Sequence, residues 1–129
     1  MSWKVTVSIF AAVFAVGMAV MTGAPVDANV NEEGVQNALK FAVVQHNKKS
    51  NDMYLSQVAQ VIRAQKQVVA GTKYIITVQM GKTPCRKNGA EETCAIHADP
   101  EMARPYQCTF TVWSRPWLPA IELLKQTCP

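Results

Sequence analysis

A chain of 129 residues that is 49% apolar and 17% charged carries enough core-forming side chains for one folded domain, and too many for intrinsic disorder. Its length excludes a multidomain architecture. Its net charge of +4 comes from scattered lysine and arginine, with the nearest approach to a basic block at His46 to Lys49, so it leaves no electrostatic footprint for nucleic acid.

The chain opens on a leader. Ile9 to Met21 is an unbroken run of apolar residues and glycine behind a single cation, Lys4. The run is too short for a bilayer, which takes roughly 20 residues, but it has the length and flanks of a secretory signal peptide. Small residues at Gly17 and Ala19 place the cut before Val20, which assigns residues 1–19 to the signal peptide and 20–129 to one mature domain. Ala15-Val16-Gly17 is a nearby second choice. With Lys4 removed, the lysine and arginine total falls from 13 to 12 against 9 acids, a net charge of about +3. The expected location is extracellular, with no membrane association once the leader is gone.

Val20 to Ala28, with Gly23 and Pro25, has no periodicity and is expected to be extended and mobile. Asn31-Glu32-Glu33 then supplies a capping-type residue and two carboxylates where a helix begins. Val35, Ala38, Leu39, Ala42 and Val43 follow at helical spacing, and Lys48 and Lys49 put cations at the end carrying the negative dipole, so Asn31 to Lys48 is a helix. Ser50-Asn51-Asp52 is a turn. Leu55 to Val69 fits helix or strand on periodicity alone, but Lys73 to Lys82 alternates and is dense in β-branched residues. Reached through Ala70-Gly71, that strand makes Leu55 to Val69 its hairpin partner. Tyr106 to Trp113 alternates strictly and is broken by Ser114-Arg115-Pro116. Ala120 to Thr127 closes the chain as a last strand. The fold class is α+β, a long helix packed on one face of a four- to five-stranded antiparallel sheet.

Cys85, Cys94, Cys108 and Cys128 all lie in the mature part, and four cysteines allow three pairings. Cys85 and Cys94 bracket a polar, turn-rich stretch, Arg86-Lys87-Asn88-Gly89, while Cys108 and Cys128 fall on neighbouring strands. Pairing 85 with 94 and 108 with 128 follows. A zinc site would need the four sulfurs, or three and His97, to converge, and the spacings lack a close pair such as C-x-x-C. No metal or other cofactor is expected.

The catalytic inventory is thin. His46 lies near the helix C-terminus, where an imidazolium would meet the dipole favourably. His97 sits in a loop with Asp99 and Glu101. Two histidines and a lysine would suit acid–base cleavage of RNA, yet nothing in the sequence brings His46 and His97 together. There is no glycine-rich phosphate loop, nucleophile elbow or metal-binding helix motif. The chain reads as a binding protein rather than an enzyme.

Two hairpin tips carry that reading. Gln67-Val68-Val69-Ala70-Gly71 is an apolar tip with a glycine to turn the chain. Arg115-Pro116-Trp117-Leu118-Pro119 holds an indole between two prolines, stiff before any partner arrives. Such tips lose little conformational entropy on binding, and tryptophan is enriched among interface hot spots. Taken alone, the first tip reads equally as a strand end covered by the core, and Trp117 as a core aromatic displaced to a turn.

Together the tips resemble a known family. Gln67 to Gly71 is similar to the Q-x-V-x-G signature of the cystatins, inhibitors of papain-like cysteine proteases, and Pro116-Trp117 to their second-hairpin pair. Gly23 stands at the position of their N-terminal glycine, and the four cysteines have the order of the secreted type 2 members. The resemblance runs from about Gly23 to Cys128. It implies a long helix wrapped by an antiparallel sheet, with the N-terminal arm and two hairpin tips aligned as a wedge that fills a protease cleft without offering a scissile bond. Gly23, Gln67, Val68, Val69, Ala70, Gly71, Pro116 and Trp117 are the implied protease-binding residues, and cathepsins the implied partners. Val20 to Thr22 would enter the substrate subsites, with Gly23 as hinge. Thr22 stands where the family usually has a hydrophobic residue, and Ala24 where a second glycine is common. Ser50-Asn51-Asp52 resembles the motif by which some type 2 members inhibit legumain on a separate surface. A monomer is expected, with a domain-swapped dimer as the alternative. The rival function is a non-inhibitory secreted module with an antimicrobial or immune role, for which a dispersed charge of about +3 is weak support.

Overall fold

A computed structural model describes residues 23–87 and 94–129. The leader, Val20 to Thr22 and the Asn88-Gly89 part of the expected turn lie outside the described residues. The elements are β1 (Val26–Asp27), α1 (Glu33–Lys49), β2 (Tyr54–Val69), β3 (Gly71–Arg86), α2 (Pro100–Ala103), β4 (Tyr106–Ser114) and β5 (Ile121–Thr127). The strands form one antiparallel sheet in the order β1-β2-β3-β4-β5, so every neighbour in sequence is a neighbour in space.

The apolar stripe of α1 does what its spacing implies. Val35, Ala38, Leu39 and Ala42 are buried against a sheet face built from Ala64, Ile76, Val78, Met80, Cys108, Phe110 and Val112. Alternation puts every second residue of β3 and β4 into this layer, which makes the sheet one-sided and the helix its cover. The long strands run further than alternation alone marked, β3 from Gly71 to Arg86 rather than Lys73 to Lys82, because backbone pairing continues past the apolar stretch. Neither α1 nor α2 is long and apolar enough to cross a membrane.

Four local expectations are corrected. The helix starts at Glu33 with Glu32 as its N-cap, and no side chain caps it. The Glu32 carboxylate is drawn instead to the Lys66 ammonium at 2.9 and 3.0 Å, while Asn29 Oδ1 accepts from Asn31 N at 2.9 Å in the approach. The N-terminal segment is extended but held from Val26 onward: Val26 pairs with Lys66, Asp27 with Gln65, and Ala28 N donates to Ala64 O at 2.9 Å. A short α2, absent from the sequence reading, begins at Pro100 behind Asp99, whose side chain accepts from Glu101 N. Proline at the first helical position after a capping aspartate was the available signal.

The fourth correction is His46. It is no charged cap. It is 7% exposed, its ring meets Phe110 edge-on, and burial pulls its pKa below the usual 6.5. The Tyr106 hydroxyl donates to Ser56 Oγ at 2.8 Å; with that proton spent it accepts from His46 Nε2 at 2.8 Å. Burial therefore favours the neutral imidazole, which is part of the core. Beside it lies the Cys108–Cys128 disulfide, with Cys128 Sγ 3.9 Å from His46 Nδ1. Cys85 pairs with Cys94, and both bridges are those expected.

Candidate functional site

The β2–β3 hairpin turns on a single residue. Val69 pairs with Gly71, leaving Ala70 alone at the bend. So sharp a reversal needs a positive φ, which Gly71 supplies at +89°, and a Cβ there would press into the Ser114 carbonyl oxygen. Glycine is required twice over, by backbone angle and by contact. Val68 at the tip is 71% exposed. The tip is not covered by the domain's own core.

The segments flanking this tip are bonded to it. On one side, Gln67 Nε2 donates to Gly23 O at 3.1 Å, and Gly23, itself at φ +62°, lies so close to Val68 O that a Cβ would meet it at 3.1 Å. On the other side, Trp113 Nε1 donates to Ala70 O at 2.7 Å. The Arg115 guanidinium stacks 3.9 Å over the Trp113 ring and pairs with Glu122 at 2.5 Å across the second hairpin. That hairpin turns through Leu118 N donating to Arg115 O, and it leaves Pro116, Trp117 and Leu118 exposed, Trp117 by 62%. The register of Thr72 on Ser114 brings the second tip beside the first.

Gly23, Gln67 to Gly71 and Pro116-Trp117 thus sit in spatial order along one end of the sheet. Trp113, Arg115 and Glu122, which brace the pair of tips, were not singled out in the sequence. Trp113 reads there as one more alternating strand residue, and no local pattern announces a hydrogen bond to another hairpin.

Ser50, Asn51 and Asp52 lie at the opposite end. Between Tyr54 and Val69 the strand runs roughly 50 Å along its contour at ~3.3 Å per residue. The loop is braced from below: Ser50 Oγ accepts from Asp52 N, Asp52 Oδ1 from Tyr54 N, and Ser50 O from Lys87 Nζ. The Lys82 ammonium, 2.5 Å from Asp52 Oδ2, holds that carboxyl below its usual range. Asn51 between them is exposed.

His46 is enclosed and committed to Tyr106, which removes it as a general base. His46, Cys108 and Cys128 approach within 4.8 Å of one another, but sulfurs joined in a disulfide offer no thiolate to a metal.

A cystatin-domain family model matches residues 23–117. A cystatin of Oncorhynchus mykiss is 59% identical over 128 residues, covering 99% of this chain and 98% of that protein. A cystatin-C of Paralichthys olivaceus is 56% identical over 121 residues, covering 93% and 94%. Among solved structures, dimeric human cystatin F aligns with a TM-score of 0.72 at 30% identity, covering 84% of this chain and 87% of that one.

Proposed function

Because the chain belongs to the type 2 cystatin family, and so is a cysteine protease inhibitor and not an enzyme, we propose that it blocks papain-like proteases, cathepsins among them, by filling the active-site cleft with one end of its sheet. In this reading Gln67 to Gly71 enters the centre of the cleft. Pro116 and Trp117 pack on the leaving-group side, and the arm before Gly23 lies in the substrate subsites. The observation that carries it is the bonded row of tips: Gly23 O to Gln67 Nε2, and Ala70 O to Trp113 Nε1. Tips fixed in relative position before binding lose little entropy when they dock, and exposed Val68 and Trp117 supply apolar area. A titration of active papain with the oxidised protein, beside Trp117→Ala, tests this. Reversible sub-micromolar inhibition weakened in the variant supports the reading; no inhibition by correctly bridged protein leaves a non-inhibitory secreted module in its place.

The protein acts in this scheme as a secreted monomer of residues 20–129. Intact mass of the protein exported by a eukaryotic host checks the cleavage before Val20. The loop Ser50-Asn51-Asp52 is offered as a second site, for legumain. Its support is the bracing by Lys82 and Lys87, which presents an exposed asparagine on a stiff turn. Asn51→Ala should lose legumain inhibition and keep papain inhibition; equal legumain inhibition by the variant would end that assignment.

A further inference from the structure

A groove of about 560 Å³ runs along one flank of α1, away from the hairpin tips and bordering the Ser50 loop through Lys87, where the helix meets the first residues of β2. Its walls are Leu39, Val43 and Val44 from the helix and Leu55 and Val58 from the strand. Val44 is 49% exposed there, an apolar side chain that the core does not use. From Gln36 to Lys48 the helix flank measures roughly 18 Å at ~1.5 Å per residue. Size and shape are those of a small-molecule site.

The polar groups of the groove decide what kind of ligand suits it. Three lysines, Lys40, Lys48 and Lys87, line it, and among the described residues no aspartate or glutamate does. Two of the three neutral polar side chains, those of Gln36 and Asn47, are committed within the fold, which leaves Gln57. Gln36 Nε2 donates to Val30 O at 2.7 Å, and Asn47 both donates to Ser56 O and accepts from Ser56 N. A peptide backbone lying in the groove would find few partners for its own N–H and C=O groups, which is costly. A ligand with a long apolar body and one anionic end meets no such penalty. Lys48 in the last turn of α1 and Lys87, whose Nζ donates to Ser50 O at the helix C-cap, both line the groove near the end where α1 terminates. Two ammonium groups there offset the negative end of the helix dipole and leave that end attractive to a carboxylate.

We propose that this groove is a binding site for a medium-chain fatty acid, its acyl chain lying along the flank of α1 between Val44 and Leu55 and its carboxylate held at the Lys48–Lys87 end.

The test is a titration of the oxidised protein, isotope-labelled for backbone amide shifts, with laurate below its micelle concentration. Dodecyltrimethylammonium, of the same chain length and opposite charge, is the control. Expected is saturable laurate binding that moves the amides of Leu39, Val43, Val44, Leu55 and Val58, with the cationic amphiphile bound at least about tenfold more weakly. Val44→Asp sets a carboxylate in the wall, and Lys40→Glu with Lys48→Glu inverts two charges at exposed helix positions that contribute nothing to the core. Each variant should lose laurate binding by about tenfold or more while near-UV circular dichroism stays native. Absence of saturable binding, equal binding of the two amphiphiles, or undiminished affinity in natively folded variants would overturn the proposal. So would an acidic leucine-rich peptide that shifts these amides where laurate does not, since the groove would then be a peptide site.

Discussion

The indole nitrogen of Trp113 in β4 lies 2.7 Å from the carbonyl oxygen of Ala70, the single unpaired residue at the β2–β3 bend. One hydrogen bond therefore ties the first tip to the strand that carries the second. Arg115 closes the Trp113 ring from above and is itself anchored by Glu122, so the donor is held in place before any protease arrives.

Replacing Trp113 by Phe keeps an aromatic ring under Arg115 and deletes the donor. A neutral hydrogen bond of this kind contributes about 1 kcal/mol, and its loss should raise the papain inhibition constant about fivefold. Thermal stability should fall by no more than that bond contributes, about 1 kcal/mol. An inhibition constant measured beside the melting temperature separates the two. An unchanged constant would deny the strut a role.

Gly71→Ala should be more damaging than its size suggests. Alanine at φ +89° is strained, by about 1–3 kcal/mol, and its Cβ meets the Ser114 carbonyl as well. The bend must open and carry the tip away from Gly23 and Trp113. Papain inhibition should fall at least about tenfold in protein that retains native circular dichroism. Wild-type inhibition from this variant would mean that the tip geometry is not what binds.

Trp117→Ala separates binding from stability in the other direction. The ring is largely solvent-exposed, so unfolding free energy should stay within about 0.5 kcal/mol of wild type. Inhibition should weaken. A clear drop in urea-unfolding stability would show that the indole supports the fold.

Stability should fall in two steps as pH drops. His46 has a folded pKa below its unfolded value near 6.5 because burial disfavours the imidazolium. The unfolded chain then binds the proton first, so the stabilisation is complete above about pH 6.5 and is lost as pH falls toward the folded pKa. Asp52, whose carboxyl is held below its usual 3.8 first by Lys82 and then by Tyr54 N, adds a second loss below about pH 4. His46→Gln keeps a donor for Tyr106 and should flatten only the upper step in melting temperatures recorded from pH 7 to 5. A slope identical to wild type would assign that step elsewhere.

Removing the Cys108–Cys128 bridge by a double serine substitution should cost about 3.3 kcal/mol from loop closure, against about 2.7 for Cys85–Cys94. The first bridge also borders buried His46, where a serine hydroxyl would be poorly satisfied. Guanidinium unfolding of both variants checks the order. Papain inhibition by the folded fraction should survive, since Cys108 pairs with Val78, far from the Thr72–Ser114 end that carries the tips.

The spacing of Val35, Ala38, Leu39 and Ala42, the alternation of β3 and β4, the cysteine pairing and both apolar tips were all legible in the amino-acid sequence. Helix, strands and tips depend on residues close in the chain, where side-chain period and turn chemistry act locally, and the pairing of Cys108 with Cys128 followed from the order of the strands. What lay beyond it were relations across the chain. Glu32 leaves its own helix end because Lys66, 34 residues away, competes for the carboxylate. His46 is a core residue because Tyr106 and Phe110 come from another element to enclose it. Trp113 holds Ala70, and Gln67 holds Gly23, through bonds spanning 43 and 44 positions. The sequence by itself determined the long helix and the four long strands, and its motifs marked the two tips through their family resemblance. Only the tertiary structure decided how the tips are fixed to one another, because a long-range hydrogen bond depends on sheet register and leaves no periodic trace in its own neighbourhood.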